Sequence, residues 1–183
     1  NEQHKSRDHT EIMLKSIGYN INIIKNKILL NPANKIPDNL NIDIPGDISS
    51  ASFFIGAACM IPNSDLRINN ILMNDSRIGF IRILKKMGAG IIIQNEKNVN
   101  GEKVGDLKVY YKPLYGININ KKDIASMIDE LPILAIVATQ SEGLTIISGS
   151  EELRNKESDR IKAICINLKA MGSKVIEKKD GFI

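Results

Sequence analysis

Apolar residues recur along this chain with helical spacing three times, and each time the run stops at a glycine and resumes as a β-rich stretch. The first copy is Thr10-Glu11-Ile12-Met13-Leu14-Lys15-Ser16-Ile17-Gly18, followed by Tyr19 to Ile24. The second is Phe80-Ile81-Arg82-Ile83-Leu84-Lys85-Lys86-Met87-Gly88, followed by Ala89 to Gln94. The third runs from Ile161 through Leu168-Lys169-Ala170-Met171-Gly172 and continues as Ser173 to Ile176. A 3.6-residue period predicts an amphipathic helix, and a β-branched run predicts a strand. Each glycine stands where a helix end needs a left-handed residue, and lysine in the last turn suits the negative helix pole.

A second set of helices precedes the latter two copies. Ser49-Ser50-Ala51 predicts the cap of an apolar helix through Met60, and Asp129-Glu130 leads another through Thr139. Strands are expected at Asp65 to Ile71, Leu144 to Ser148, Lys27 to Leu30, Leu107 to Tyr111 and Gly116 to Asn120, with Asn95 to Gly105 a polar loop. One unit is thus helix, strand, helix, strand, strand. The glycines lie 88 − 18 = 70 and 172 − 88 = 84 residues apart, which indicates repeated subdomains and not a solenoid. Apolar positions on helices and strands alike predict an α/β fold of mixed sheets with the helices packed together inside. Pro45-Gly46-Asp47 reads as a crossing point, dividing residues 1–46 from 47–183.

Composition narrows the function classes. Hydrophobic content of 43% with 25% charged residues fits an ordinary globular chain of 183 residues. Aromatics at 4%, with no Trp, give no stacking platform for bases, and a net charge of +4 is too small for a nucleic-acid partner. A mild positive balance does suit small anionic substrates. Cys59 and Cys165 fall in apolar helical patterns and read as buried thiols; with only two His, a metal site has no support. No apolar run reaches the roughly 18 residues of a membrane span, and a cytoplasmic protein is expected. The chain opens on Asn1 and ends in Asp180-Gly181-Phe182-Ile183, which resembles a hairpin with its second strand cut short, so a piece of something longer is expected.

The densest chemistry is Lys156-Glu157-Ser158-Asp159-Arg160, four charges in five residues, placed by the pattern in the first turn of a helix. There, Lys156 and Arg160 would stand four apart and Glu157 and Arg160 three apart, so cations and a carboxylate converge on one face. Such a face can hold an anion and move a proton beside it. The plainer alternative is a solvated helix start whose ion pair is worth only ~0.3–0.5 kcal/mol. Asp129 has the same ambiguity: it can be a helix cap ahead of Pro132, or share an anion-binding rim of helix N-termini with Lys156. Asp159 reads as structural. Arg7 can hold a carboxylate or phosphate or lie on the surface, His9 reads as a polar helix start, and His4 as solvated. Walker, dinucleotide-binding and nucleophile-elbow patterns are missing.

Taken in order, these motifs resemble the EPSP synthase family of enolpyruvyl transferases. The likeness rests on Ser6-Arg7-Asp8-His9-Thr10-Glu11, Pro45-Gly46-Asp47-Ile48-Ser49-Ser50-Ala51, Leu72-Met73-Asn74, Lys86-Met87-Gly88-Ala89, Gly101-Glu102, Ile128-Asp129-Glu130-Leu131-Pro132 and Glu152 through Arg160. The resemblance implies a two-domain enzyme built of βαβαββ-type units, three per domain, with mixed sheets around buried helices in an inside-out α/β barrel arrangement. Residues 1–46 would be the last unit of one domain and 47–183 two units of the other. It implies a reaction joining shikimate 3-phosphate to phosphoenolpyruvate with loss of phosphate, without metal or organic cofactor, in a monomeric enzyme. Asp129 would match the base at the shikimate hydroxyl and Glu157 the acid at the enol methylene carbon. Arg7 and Lys156 would match contacts to shikimate 3-phosphate, and Arg160 a contact to phosphoenolpyruvate. The chain departs from the pattern at Asn155, usually apolar, and at Asp75-Ser76, commonly Pro-Thr. The family's lysine-serine phosphate motif, Ser-Gln segment and C-terminal arginine and lysine are not among these residues, so the isolated chain is expected to be inactive. A UDP-N-acetylglucosamine enolpyruvyl transferase would instead show a cysteine-bearing loop and lack Lys-Glu-Ser-Asp-Arg. A binding module that kept the fold and lost the chemistry would not need Asp129, Lys156, Glu157 and Arg160 together.

Overall fold

A computed structural model of the chain describes residues 7–25, 27–31 and 41–183. The expectations for His4 and Ser6 lie outside these residues. The elements in order are α1 (His9–Ser16), β1 (Ile21–Ile24), β2 (Lys27–Leu30), α2 (Ile48–Met60), β3 (Asp65–Leu72), α3 (Gly79–Lys86), β4 (Gly90–Val99) and β5 (Glu102–Tyr110). They continue as β6 (Asn118–Ile119), α4 (Lys121–Ile124), α5 (Leu131–Ala138), β7 (Ile146–Ile147), α6 (Arg160–Ala170), β8 (Glu177–Lys178) and β9 (Gly181–Phe182). Helix, strand, helix, strand, strand is therefore realised twice, as α2-β3-α3-β4-β5 and as α5-β7-α6-β8-β9.

The two units also share one sheet plan. In the first, β3 and β4 both pair antiparallel with β5, giving the order β3-β5-β4, and Gly46 adds itself in parallel beside Ile71 of β3. Its N–H donates to Asn70 O at 2.7 Å and its carbonyl accepts from Leu72 N at 3.0 Å. In the second, the order is β6-β7-β9-β8, with β6 and β7 parallel and the rest antiparallel. Gly46 thus occupies the place that β6 holds in its own unit. A Cβ there would come within 2.8 Å of Ile71 Cδ1, so a larger residue would have to push the end of that side chain aside.

The helices supply much of the buried core. Asp47 starts α2 by accepting hydrogen bonds from Ser49 N and Ser50 N, and Ile48, Ile55 and Cys59 are then fully buried. Gly56 lets α5 approach α2: a Cβ on it would meet Ile133 at 3.0 Å and Val137 at 3.3 Å. Phe80, Ile81, Ile83 and Leu84 of α3 and Ile161, Ile164, Cys165 and Leu168 of α6 complete the core. The left-handed glycines fall as expected, with φ of +94° at Gly18, +101° at Gly88 and +88° at Gly172.

Two expectations are corrected. Asn95 to Gly105 is not a loop: β4 and β5 run through it, pairing as far as Val99 with Glu102 around the Asn100–Gly101 tip. Its polar residues mislead because Gln94 to Asn98 are exposed on both faces of the strand, and the ladder, not burial, holds it. Ser173 to Ile176 is not a strand of the sheet; pairing begins with Ile176 and Ile183, which exchange bonds of 2.8 and 2.9 Å, and continues into the β8–β9 hairpin.

Phe80 is fully buried, whereas Phe53 on α2 is 62% exposed. Phe80→Ala is expected to lower the unfolding free energy of the chain by ~3–5 kcal/mol in urea titration, while Phe53→Ala stays within about 0.5 kcal/mol. Equal losses would contradict the packing described.

Candidate active site

Three segments distant in sequence meet at one carboxylate. Asp129 lies in a single 3-10 turn, Ile128–Glu130, that runs into α5 with Pro132 in the first helical turn, where its missing N–H costs nothing. Asp129 Oδ2 accepts from Arg7 Nη2, at the approach to α1. Asp129 Oδ1 stands 3.6 Å from Arg160 Nη1, on the first residue of α6. Arg160 turns its other nitrogen to Glu157 Oε2 at 2.9 Å. Cation and anion alternate along the row Arg7, Asp129, Arg160, Glu157.

The Lys156–Arg160 motif reaches this row by a different route from the one its charge pattern predicts. Lys156 and Glu157 are not in a helical turn. Glu151–Asn155 forms a 3-10 turn, Lys156 is extended with φ −79° and ψ −168°, and the helix starts only at Arg160. Asp159 decides this boundary by accepting from Lys162 N at 3.0 Å as the helix cap, the structural role expected of it. Arg154 fixes Asp159 in turn at 2.8 Å, reaches Glu177 at 3.0 Å and donates to the carbonyls of Lys178 and Lys179. The bend leaves Glu157 83% exposed, and Arg160 holds it to the row. Lys156 makes no hydrogen bond or ion pair among the described residues, although its charge reaches Glu157. Glu157's own backbone N–H, then Arg160, hold its carboxyl below the ordinary Glu value.

Behind Asp129 lies a carboxylate that sequence reasoning treated only as part of a helix lead. Glu130 is buried, and its Oε1 accepts from Ser49 Oγ, which accepts from Arg77 Nη2 at 2.6 Å. Burial pushes the Glu130 carboxyl up, opposed by Ser49 and Arg77 and reinforced by Asp129. Arg77 also reaches Asp47 at 3.3 Å, so the start of α2 and the Asp129 turn are joined by one polar chain. Partial burial acts to raise Asp47, yet its bonds from Ser50 and Ser49 and the Arg77 charge bring it below the usual value.

A second polar cluster sits at the start of α1. His9 Nδ1 is 2.6 Å from Glu102 Oε1, and Asn74 Nδ2 donates to Asp8 Oδ1 at 2.9 Å and to Glu102 Oε2 at 3.0 Å. A cleft of about 400 Å³ opens beside it, bordered by Asp8, Ile12, Asn74, Gly101 and Glu102 but not by Asp129 or Arg160. Among the described residues no three His, Cys, Asp or Glu side chains gather as a metal site, and no helix is long and apolar enough to cross a membrane. Cys59 is buried and its thiol is pushed up to about 12, so it behaves as a small hydrophobe, as its pattern predicts.

Comparison with known proteins agrees on a family. The profile of EPSP synthase (3-phosphoshikimate 1-carboxyvinyltransferase) matches residues 2–183. The 3-phosphoshikimate 1-carboxyvinyltransferase of Thermodesulfovibrio yellowstonii is 49% identical over 181 residues, which cover 98% of this chain and 42% of that protein. That of Persephonella marina is 48% identical over 186 residues, covering all of this chain and 43% of that protein. A solved EPSP synthase structure from Acinetobacter baumannii superposes with a TM-score of 0.94 at 39% identity, over the whole chain and 41% of that protein. The chain therefore spans well under half the length of the relatives it matches. Sequence, mixed α/β architecture and motif order converge, and the chain belongs to the EPSP synthase family.

Proposed function

We propose that this chain supplies one side of the active site of an enzyme that transfers the enolpyruvyl group of phosphoenolpyruvate to the 5-hydroxyl of shikimate 3-phosphate. The observation that carries the reading is Asp129 standing between Arg7 and Arg160, with Glu157 on the far nitrogens of Arg160. Two anionic substrates need cations, a hydroxyl nucleophile needs a proton acceptor, and an enol carbon needs a proton donor. The row holds all three kinds of group.

The alternation also suggests how substrates turn it on. Arg7 engages the 3-phosphate, together with Lys156, and so leaves Asp129 for the ring hydroxyl. Arg160 engages the carboxylate or phosphate of phosphoenolpyruvate and so leaves Glu157. The hydroxyl oxygen bonds to C2 of phosphoenolpyruvate while its proton passes to Asp129, and the methylene carbon takes a proton from Glu157. The tetrahedral intermediate then returns a methyl proton to the Glu157 carboxylate as its C–O bond to phosphate breaks, restoring the double bond and releasing phosphate. Glu157 starts as a poor donor, since Arg160 and its own N–H favour the ionised form; removing Arg160 raises its affinity for a proton. The wider reading is a monomeric, cytoplasmic enzyme of aromatic amino-acid biosynthesis, made of two domains that meet near Gly46, each an inside-out α/β barrel.

In the complete enzyme, Asp129→Asn is expected to lower kcat by ~10²–10⁴ while the KM for shikimate 3-phosphate changes only a few-fold. Unchanged turnover would remove Asp129 from the mechanism. The 183-residue chain alone is expected to show no turnover in a phosphate-release assay, and near-normal rates would overturn its reading as one part of the site. Carbon-13 NMR titration of the chain should find the Glu157 carboxyl higher in Arg160→Gln than in the parent; an unmoved midpoint would contradict the hold of Arg160 on Glu157.

A further inference from the structure

Helix α1 delivers Arg7 to the site, yet it buries none of its own residues. Its apolar contact is only partial: Ile12 and Leu14, with Ile17 at its end, are half-buried and none is fully buried, and a Cβ on Gly101 at the β4–β5 tip would lie 2.9 Å from Ile12 Cγ2. An amphipathic helix is normally held by its buried face, and eight residues are too few to be stable alone. Something else must fix where α1 begins, and with it the direction of Arg7.

The polar cluster at Asp8 and His9 does this. Asn74 is 7% exposed, and its side chain is fully used: Oδ1 accepts from Ser76 N at 2.8 Å and Ser76 Oγ at 2.6 Å, and Nδ2 donates to Asp8 and Glu102. The bonds from Ser76 identify the oxygen and so fix which end of the amide faces Asp8 and Glu102. Glu102 is held at the first position of β5, where its backbone pairs with Val99, and its two oxygens divide between Asn74 and His9. Asp8 and His9 are the two residues that follow Arg7. With both pinned to the β3–β5 sheet and the turn after it, the start of α1 is held in the place from which the Arg7 side chain reaches Asp129.

We propose that Glu102 is a positioning residue: through His9, and with Asn74 on Asp8, it seats the start of α1 so that Arg7 points at Asp129. This deepens the enolpyruvyl-transfer reading and rests on it for the substrate that Arg7 meets. Glu102 itself touches neither Asp129, Glu157 nor Arg160.

Hydrogen exchange of the 183-residue chain tests the seat without any substrate. Glu102→Ala should speed exchange of the Ile12 and Ile17 amides, which donate to Asp8 O and Met13 O, by about tenfold, with Leu107 and Val109 of β5 unchanged. Glu102→Gln should recover part of the protection, because an amide can still give its oxygen to Asn74 and its NH₂ to His9 Nδ1 as acceptor, the tautomer that leaves a proton on the buried, unpartnered Nε2. Unchanged α1 exchange in Glu102→Ala, or equal loss in both variants, overturns the proposal. In the complete enzyme, Glu102→Ala should weaken shikimate 3-phosphate binding about tenfold on its own and less than about twofold on top of Arg7→Ala. A full tenfold loss in the Arg7→Ala background shows that Glu102 does not act through Arg7 and overturns it too. If the parent enzyme fails to bind shikimate 3-phosphate, the enzymatic reading falls, and the exchange measurement still decides the seat.

Discussion

A carboxylate shared between two guanidinium groups joins three parts of the chain that are far apart in sequence. Arg7 and Asp129 are 122 residues apart, and Arg160 reaches the same side chain from a third segment. None of the members is deeply buried: Arg7 is 52% exposed and Asp129 36%. Exposed ion pairs contribute little to stability, so the row does not hold the fold together. The fold holds the row. Each member stands at the start of, or just before, an element whose far side is anchored: Asp129 by the buried α5, Arg160 by Ile161 and Ile164, Arg7 by the polar seat of α1.

Because exchange costs so little, such a row is suited to substrates that carry their own negative charge. A phosphate can replace a carboxylate at a guanidinium without leaving a charge unpaired in a dry interior. The more buried partner is of another kind. Glu130 is fixed by Ser49 and Arg77 from below, and this chain ties the Asp129 turn to the cap of α2. One carboxylate of the adjacent pair is committed to structure, and the other, more exposed, meets only guanidinium groups among the described residues.

The repeats were legible because their cause is local. Helical spacing of Phe80 to Met87, ending at Gly88, states a buried face and a left-handed terminus, and both occur. The place of Gly46 beside β3, equivalent to that of β6 beside β7, has no signal in the sequence, since one residue carries no period. The β4–β5 tip was read as a loop because Asn95 to Gly101 alternates nothing apolar; its order comes from a ladder between strands, which a pattern of burial does not record. The motif at Lys156 was chemically rich but wrongly placed, since Asp159 competes for the cap and moves the helix start to Arg160. Asn74 and Glu102 fall in motifs that carry the family resemblance, but neither they nor Arg77 have a pattern that says what they hold. Their partners, Ser49, Asp8 and His9, are tens of residues away, and only the fold makes them neighbours.

The central claim is that the arginines resting on Asp129 and Glu157 are the ones that substrates take over. A structure of the complete enzyme with shikimate 3-phosphate bound tests it most directly. The account predicts Arg7 turned from Asp129 onto the 3-phosphate, with the freed Asp129 carboxylate accepting from the ring hydroxyl. A phosphate seated elsewhere, with the Arg7–Asp129 pair intact, would contradict it.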